Sequence, residues 1–396
     1  MSATDADGLR ERVGAFLAQH PPERTDRLEF LRARFDAGLA WVHFPAGLGG
    51  LDAPREWQPV VDEAFAAAGA PNNSPRLNSI GLGMAAPTIL RFGTPEQQQR
   101  FLRPLWTGEE IWCQLFSEPG AGSDLAALST RAVRDGDEWV LDGQKVWTSL
   151  AHRASWAILV ARSDPDQPKH KGLSYFVCDM TAPGVEVRPL RQITGEAEFN
   201  EVFLTGVRIP DSHRLGEVGQ GWQVAMGTLM NERVSIGGSN TEREAGLIGL
   251  AARTWRDRPE LRTSGAHDRL LSLWVEAEAA RLTGQRLRQQ LAAGSPGPEG
   301  SAVKLSFARL NQEISGFELE LLGEEGLGYD DWTFRRPDQA DFTSARGPGF
   351  RYLRAKGNSI EGGTSEILRN VIAERVLGLP PEIRTDKDRP WKELPR

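Results

Sequence analysis

The stretch STRAVRDGDEWVLDGQKVWTS, Ser129 to Ser149, decides how this chain is built. Apolar and polar residues alternate through it, and Gly-Asp and Asp-Gly pairs punctuate it as turns, a β-hairpin signature. The sequence on either side reads differently. From residue 1 to about 115, Ala, Leu, Arg and Glu dominate with Pro or Gly at the breaks, a helical texture. In TPEQQQRFLRPLWTGE (Thr94–Glu109), Thr94 is an N-cap, Pro95 suits the first turn, and Gln97 stands where a capping-box partner belongs. Beyond the hairpin, SWAILVAR (Ser155–Arg162), LSYFVCDM (Leu173–Met180) and GVEVRPL (Gly184–Leu190) continue as strands. Helical periodicity returns from about 222 to 378, broken by the loop AAGSPGPEGS (292–301). Helix, sheet and helix in succession predict an α+β chain. Its expected parts are an N-terminal α-helical domain (1–115), a middle β-domain (116–221), a C-terminal helix bundle (222–380) and a polar surface arm (381–396).

Bulk properties narrow the function. The 396 residues exceed the usual size of one core, so several packed units are expected. A net charge of −7 with no basic stripe excludes nucleic acid or an anionic membrane as the main partner. No apolar run approaches the roughly 18 residues of a transmembrane helix. The opening MSATDADGLRERVG lacks an apolar signal core. Two cysteines, Cys113 and Cys178, make no disulfide framework and show no metal spacing, so a reduced, cytoplasmic setting is expected. The six histidines form no local metal motif, and the acidic GYDDW (328–332) reads as a solvated loop. No metal site is expected.

Three stretches carry chemistry. QLFSEPGAGSDLAALST (Gln114–Thr130) lies where helices give way to strands; Gly120, Gly122 and Ser123 let backbone N–H groups approach an anion, although most such stretches are plain turns. In KVWTS, Trp147 offers a flat apolar face, and Thr148 and Ser149 offer hydroxyls. In GWQVAMGTLMNERVSIGG, Ala225, Leu229, Glu232 and Ile236 recur on one helix face. A carboxylate there is costly to bury as an ion, so Glu232 is either a general base or half of a structural ion pair. The turn NSIEGGTSEILRN (Asn358–Asn370) adds a second carboxylate, Glu361, beside Gly362 and Gly363.

SEPGAGSD, DGQKVWTS, FNEVFLTGVRIP, GQGWQVAMGTLMNER and EGGTSEILRNVIAERVLGL occur in the order and spacing of the acyl-CoA dehydrogenase family. The resemblance runs from FPAGLGGLDAP (Phe44–Pro54) to Leu379. It implies the family's fold, with a C-terminal four-helix bundle, and FAD, an acyl-CoA substrate and an electron-transfer flavoprotein as partners. In many relatives the base precedes the Gly-Thr pair directly, a position Gly362 holds here. A smaller group carries it in a string ending Glu-Arg, matched by Glu232-Arg233, so the resemblance favours Glu232 over Glu361. Gly362 N–H then resembles the donor to the thioester carbonyl. Ser117 matches a hydroxyl on the flavin ring, and Trp147 and Ser149 match residues beside it; Gln114, Gly122 and Thr148 complete that cofactor set. Thr364 and Glu366 match further cofactor positions. Ser123 matches a substrate-contacting serine that also faces the cofactor, and Arg233 an arginine near the CoA.

Two departures stand out. The family's Arg-x-x-Phe-Gly string, whose arginine reaches a neighbour's FAD diphosphate, gives way to RTWRDRPELR (Arg253–Arg262). Its Gln-x-x-Gly-Gly string gives way to ELLGEEGLGY, with Glu320 and Glu324, and carboxylates beside a diphosphate are electrostatically wrong. The pattern resembles two-subunit acyl-CoA dehydrogenases, with this chain as the base-bearing half of a heterotetramer. A homo-oligomer is the alternative if Arg256 or Arg258 takes over the contact. A flavin monooxygenase on the same fold and a non-catalytic subunit are the rival functions.

Overall fold

Among the described residues, five α-helices precede the first strand: α1 (Ala6–Gln19), α2 (Arg27–Asp36), α3 (Gln58–Ala67), α4 (Ala86–Phe92) and α5 (Pro95–Thr107). The computed structural model describes residues 6–73, 76–237, 242–292, 300–329, 331–338, 346–383 and 385–395, and the side chains of residues 6, 231–237, 291 and 292 lie outside that description. The expected capping box starts α5: Thr94 N–H donates to Gln97 Oε1 (2.8 Å), and Gln97 N–H to Thr94 Oγ1 (3.3 Å). Gln97 Nε2 also donates to the carbonyls of Ser212 (2.7 Å) and Arg214 (2.9 Å), so the cap ties this helix to the β-domain. Phe16, Phe30 and Phe65 meet edge-to-face at 5.3–5.9 Å and anchor α1, α2 and α3.

The strands are β1 (Trp112–Leu115), β2 (Arg131–Asp135), β3 (Glu138–Ser149), β4 (Trp156–Arg162), β5 (Leu173–Asp179), β6 (Val185–Pro189), β7 (Phe199–Pro210) and β8 (Arg214–Leu215). They form one sheet in the order β6-β7-β3-β2-β4-β5-β8, with β1 parallel to β4. The hairpin turns at Gly136, whose φ of 62° suits glycine. The second expected turn, Asp142-Gly143, does not form; it runs inside β3. Gly143 is there for closeness: a Cβ would lie 2.4 Å from Thr130 Oγ1. The register with β7 shifts beside it, between Leu141 and Gly143.

Helices α6 (Gly221–Gly237), α7 (Leu247–Asp257), α8 (Ser264–Ala292), α9 (Gly300–Leu322), α10 (Pro348–Ala355) and α11 (Ser365–Arg375) follow. The expected loop between α8 and α9 falls largely on residues 293–299, outside the described residues. α9 is the hub on which the other five helices pack. One apolar core joins the N-terminal helices, one face of the sheet and Val224 and Ala225 of α6; a second fills the other face of the sheet. The segment 385–395, expected as a surface arm, folds back onto the β4–β5 connection and buries Trp391. A single indole among polar residues escapes a composition-based reading.

Candidate active site

The loop after β1 is built around a buried ion pair that sequence reasoning missed. Glu118 accepts from Ser129 N–H (2.7 Å), Ser129 Oγ (2.9 Å), Thr130 N–H (2.9 Å) and Lys145 Nζ (2.8 Å). Lys145, fully buried, also donates to the carbonyls of Phe116 (3.0 Å) and Val160 (2.9 Å). Burial raises the Glu118 carboxyl, but Lys145 and the bonds from Thr130 and Ser129 outweigh it and hold the pKa down to about 2. Burial also pulls the Lys145 ammonium below its ordinary value against the attraction of Glu118. The signal was legible in principle, since both residues stand inside quoted motifs. Their partnership depends on β3 passing behind the loop.

This anchor presents the candidate residues. Val146 N–H donates to Ser117 O (2.9 Å), which joins the loop to the strand bearing Trp147. Glu118 and Ala121 exchange two backbone bonds of 3.0 Å, closing the turn before Gly122 and Ser123. A Cβ on Gly120 or Gly122 would meet no atom of the described residues within 4 Å, so backbone is open to an approaching group there. Ser123 is exposed, and Gln114 and Ser117 are half-buried.

Trp147 is not a core residue. It sits at a bulge between Lys145 and Thr148 with a φ of 60°, and its side chain is 58% exposed. A bulky residue in left-handed backbone is uncommon and marks a constrained position. Ser149 beside it is half-buried. Thr148 is buried, and its hydroxyl has no hydrogen-bond partner among the described residues. The Trp147 ring stands edge-on to Phe199 at 5.9 Å, and the Arg354 guanidinium lies 5.7 Å over that same Phe199 ring.

Arg354 leads to the glycine turn. Its fork closes on both oxygens of Glu361 (3.1 and 3.0 Å), and Asn358 Nδ2 also donates to Glu361 (2.6 Å). Glu361 is thereby a clamp across the turn. Lys304 of α9 donates to the carbonyls of Asn358 and Gly363, both at 2.7 Å. Gly362 and Gly363 have φ of 62° and 95°, which only glycine adopts readily. Arg354 also lies 3.3 Å from Glu198, buried at the start of the β7 region. Burial pushes the Glu198 carboxyl up to about 7, against the pull of Arg354 and with repulsion from Glu361 and Glu196. Arg354, Glu198 and Lys304 were also missed, because nothing local marks them.

Glu232 and Arg233 lie on the backbone of α6, with their side chains outside the described residues. Position 232 stands one turn beyond Thr228 and two beyond Ala225, both fully buried. Thr228 Oγ1 meets Tyr175 OH at 3.0 Å, and the Tyr175 ring is edge-on to Phe116 at 5.8 Å, one residue before Ser117. The α6 register is thereby tied to the loop. Two candidates have other structural roles: Thr364 caps α11 by accepting from Ile367 N–H (3.2 Å), and Glu366 is exposed, 3.4 Å from Arg369. FAD, which the resemblance implies, needs a flat apolar face, hydroxyls at a polar ring edge and open backbone. Trp147, Ser117 with Ser149, and Gly120 with Gly122 supply these, so the residues fit the group. Among the described residues no group of three metal-ligating side chains occurs, and no helix is long and apolar enough to cross a membrane.

Three family models match in order: acyl-CoA dehydrogenase N-terminal domain over residues 4–109, middle domain over 113–207 and C-terminal domain over 219–377. The chain is 41% identical over 379 residues to acyl-CoA dehydrogenase FadE34 of Mycobacterium tuberculosis, covering 94% of this chain but 49% of FadE34. It is 39% identical over 353 residues to acyl-CoA dehydrogenase IpdE1 of the same organism, covering 88% of this chain and 86% of IpdE1. Among solved structures, the ChsE4–ChsE5 complex from M. tuberculosis matches with a TM-score of 0.71 at 27% identity, covering 97% of this chain and all of the matched one.

Proposed function

The chain belongs to the acyl-CoA dehydrogenase family, and we propose that it is the base-bearing subunit of an enzyme that oxidises an acyl-CoA thioester to the trans-2-enoyl-CoA. The family is FAD-dependent. In the proposed reaction, Glu232 takes the α-proton of the thioester. Gly362 N–H donates to the carbonyl oxygen, where enolate charge develops. Bound FAD supplies the acceptor for the hydride that leaves the β-carbon. Ser123 and Arg233 contact the substrate, and the electrons pass to an electron-transfer flavoprotein in the cytoplasm. The observation that carries this reading is the clamping of Glu361. Arg354 and Asn358 occupy its carboxylate oxygens, so the side chain is engaged in bracing the turn.

A heterotetramer with a sister subunit is favoured by the charges where the family arginine would meet a neighbour's FAD diphosphate. Arg258 is held by Glu325 at 2.9 and 3.1 Å and by Glu260. Arg256, the other substitute, is held by Glu244 at 2.9 Å. The cavity of about 360 Å³ at this place is lined by Arg253, Arg258 and Arg351, and Arg351 is closed on Glu318. At Arg258 and Arg351 a diphosphate would meet guanidinium groups already paired with carboxylates. FadE34 carries about as much sequence again outside its match to this chain, and ChsE4–ChsE5 is a complex of two named components.

Two measurements test this. Glu232→Ala should lower turnover of the assembled enzyme by about 10²–10⁴-fold with flavin retained, and unchanged turnover would rule out the assignment. The chain purified alone should bind little FAD and gain it with its sister subunit; about one FAD per isolated chain would defeat the heteromer.

A further inference from the structure

The family's C-terminal model stops at residue 377, and the segment 385–395 beyond it has an ordered place on the β-domain. Pro390 bridges Pro168, Trp391 N–H donates to Gln167 O (2.9 Å), and Lys392 N–H donates to Pro165 O (3.1 Å). Lys392 and Asp166 form an ion pair. The segment thus lies along the β4–β5 connection as an added strand-like edge.

Its contacts continue into the candidate loop. Trp391 Nε1 donates to Ala127 O (3.1 Å). Arg162, buried and stacked 4.6 Å from the Trp391 ring, donates to Ala126 O (2.5 Å), Leu128 O (3.2 Å) and Lys169 O (2.7 Å). Three consecutive carbonyls, 126 to 128, are therefore fixed by one indole and one guanidinium. Lys169 Nζ lies 2.7 Å from Asp124 and 2.5 Å from Asp386, so it joins the residue after Ser123 to the start of the segment.

We infer that residues 385–395 form an intramolecular strap that holds the loop Ser117–Leu128 in its ligand-facing shape, with Trp391 as a positioning residue. Glu118 and Lys145 fix the loop from beneath, and the strap fixes its far end. The inference rests on the proposed reading of Ser123 as a substrate contact.

Hydrogen–deuterium exchange on the full chain tests it. In Trp391→Ala, amides 124–130 should exchange about tenfold faster, as loss of a hydrogen bond and a stacked cation opens the loop locally. Asp386→Asn, which leaves the buried indole in place, should move the same amides in the same direction. Trp391→Phe keeps a ring over Arg162 and should fall between Ala and wild type. Helices α1 to α3 should not change. Unaltered exchange over 124–130 in both Trp391→Ala and Asp386→Asn would overturn the strap. In steady state the KM for an acyl-CoA thioester should rise about tenfold in Trp391→Ala while kcat stays within about twofold. Faster loop exchange with an unmoved KM would overturn the positioning role and leave the dehydrogenase reading standing. Absence of dehydrogenase turnover in the wild-type assembly would defeat that reading, and the exchange data would still decide the strap.

Discussion

Replacing Glu118 by Gln should destabilise the protein by about 3 kcal/mol at pH 7. The carboxyl is 6% exposed, and its pKa of about 2 against an ordinary 4.5 corresponds to about 3 kcal/mol favouring the charged folded state. Stranding a buried charge gives a similar figure, about 3–5 kcal/mol, because Lys145 keeps two carbonyls but loses its counter-ion. An amide also cannot accept from both Ser129 and Lys145 at once, since its nitrogen only donates. The folded pKa is depressed, so this stability is complete above about pH 4.5 and fades as pH falls toward 2. Urea unfolding of wild type and variant at pH 7 and pH 3 reads both features. The gap should be about 3 kcal/mol at pH 7 and narrower at pH 3. Lys145→Met and the double variant complete the cycle, with an expected coupling above about 1.5 kcal/mol. A single-variant loss under about 1 kcal/mol at pH 7, or additive single losses, would refute the argument.

Glu361→Gln should keep turnover within about tenfold, against the loss of about 10²–10⁴-fold in Glu232→Ala; equal losses in a steady-state assay would return Glu361 to the role of base. Glu198→Gln should stabilise the protein by about 1–3 kcal/mol at pH 8, because burial raises the folded pKa to about 7 and wild type loses stability as pH climbs from 4.5 through 7. Melting temperatures of the two proteins should converge at pH 4, and a gap that persists there would contradict that cause. Trp147→Gly should leave the melting temperature equal or higher, since glycine relieves about 1 kcal/mol of left-handed strain, while the flavin-to-protein ratio falls. A drop in both would make Trp147 a packing residue.

Much of the molecule was legible from short windows. The Thr94 cap and the Gly136 turn form as their residues require, and strands appear both in the alternating hairpin and in the apolar runs of β4 and β5. The Asp142-Gly143 pair misled because a glycine that admits Thr130 looks the same in sequence as one that turns the chain. The glycine turn was placed, with positive φ at Gly362 and Gly363. The contacts that set Trp147 and the arm lay beyond any window, at the bulge opposite β7 and at Arg162 with Ala127, whereas Arg354 stands only seven residues before Glu361.

The three-part architecture, the helix that bears Glu232 and the glycine-rich turns could be read from the chain alone. Those depend on periodicity, caps and turns, whose energetics act over a few neighbouring residues. Which charges are partners and which aromatic ring is open depend on contacts between distant segments. Glu118 meets Lys145 because β3 passes behind the loop, and Trp391 reaches Ala127 because the chain returns across 264 residues. Such contacts are set by how distant segments register against one another, and a side chain's local surroundings in sequence carry no trace of that.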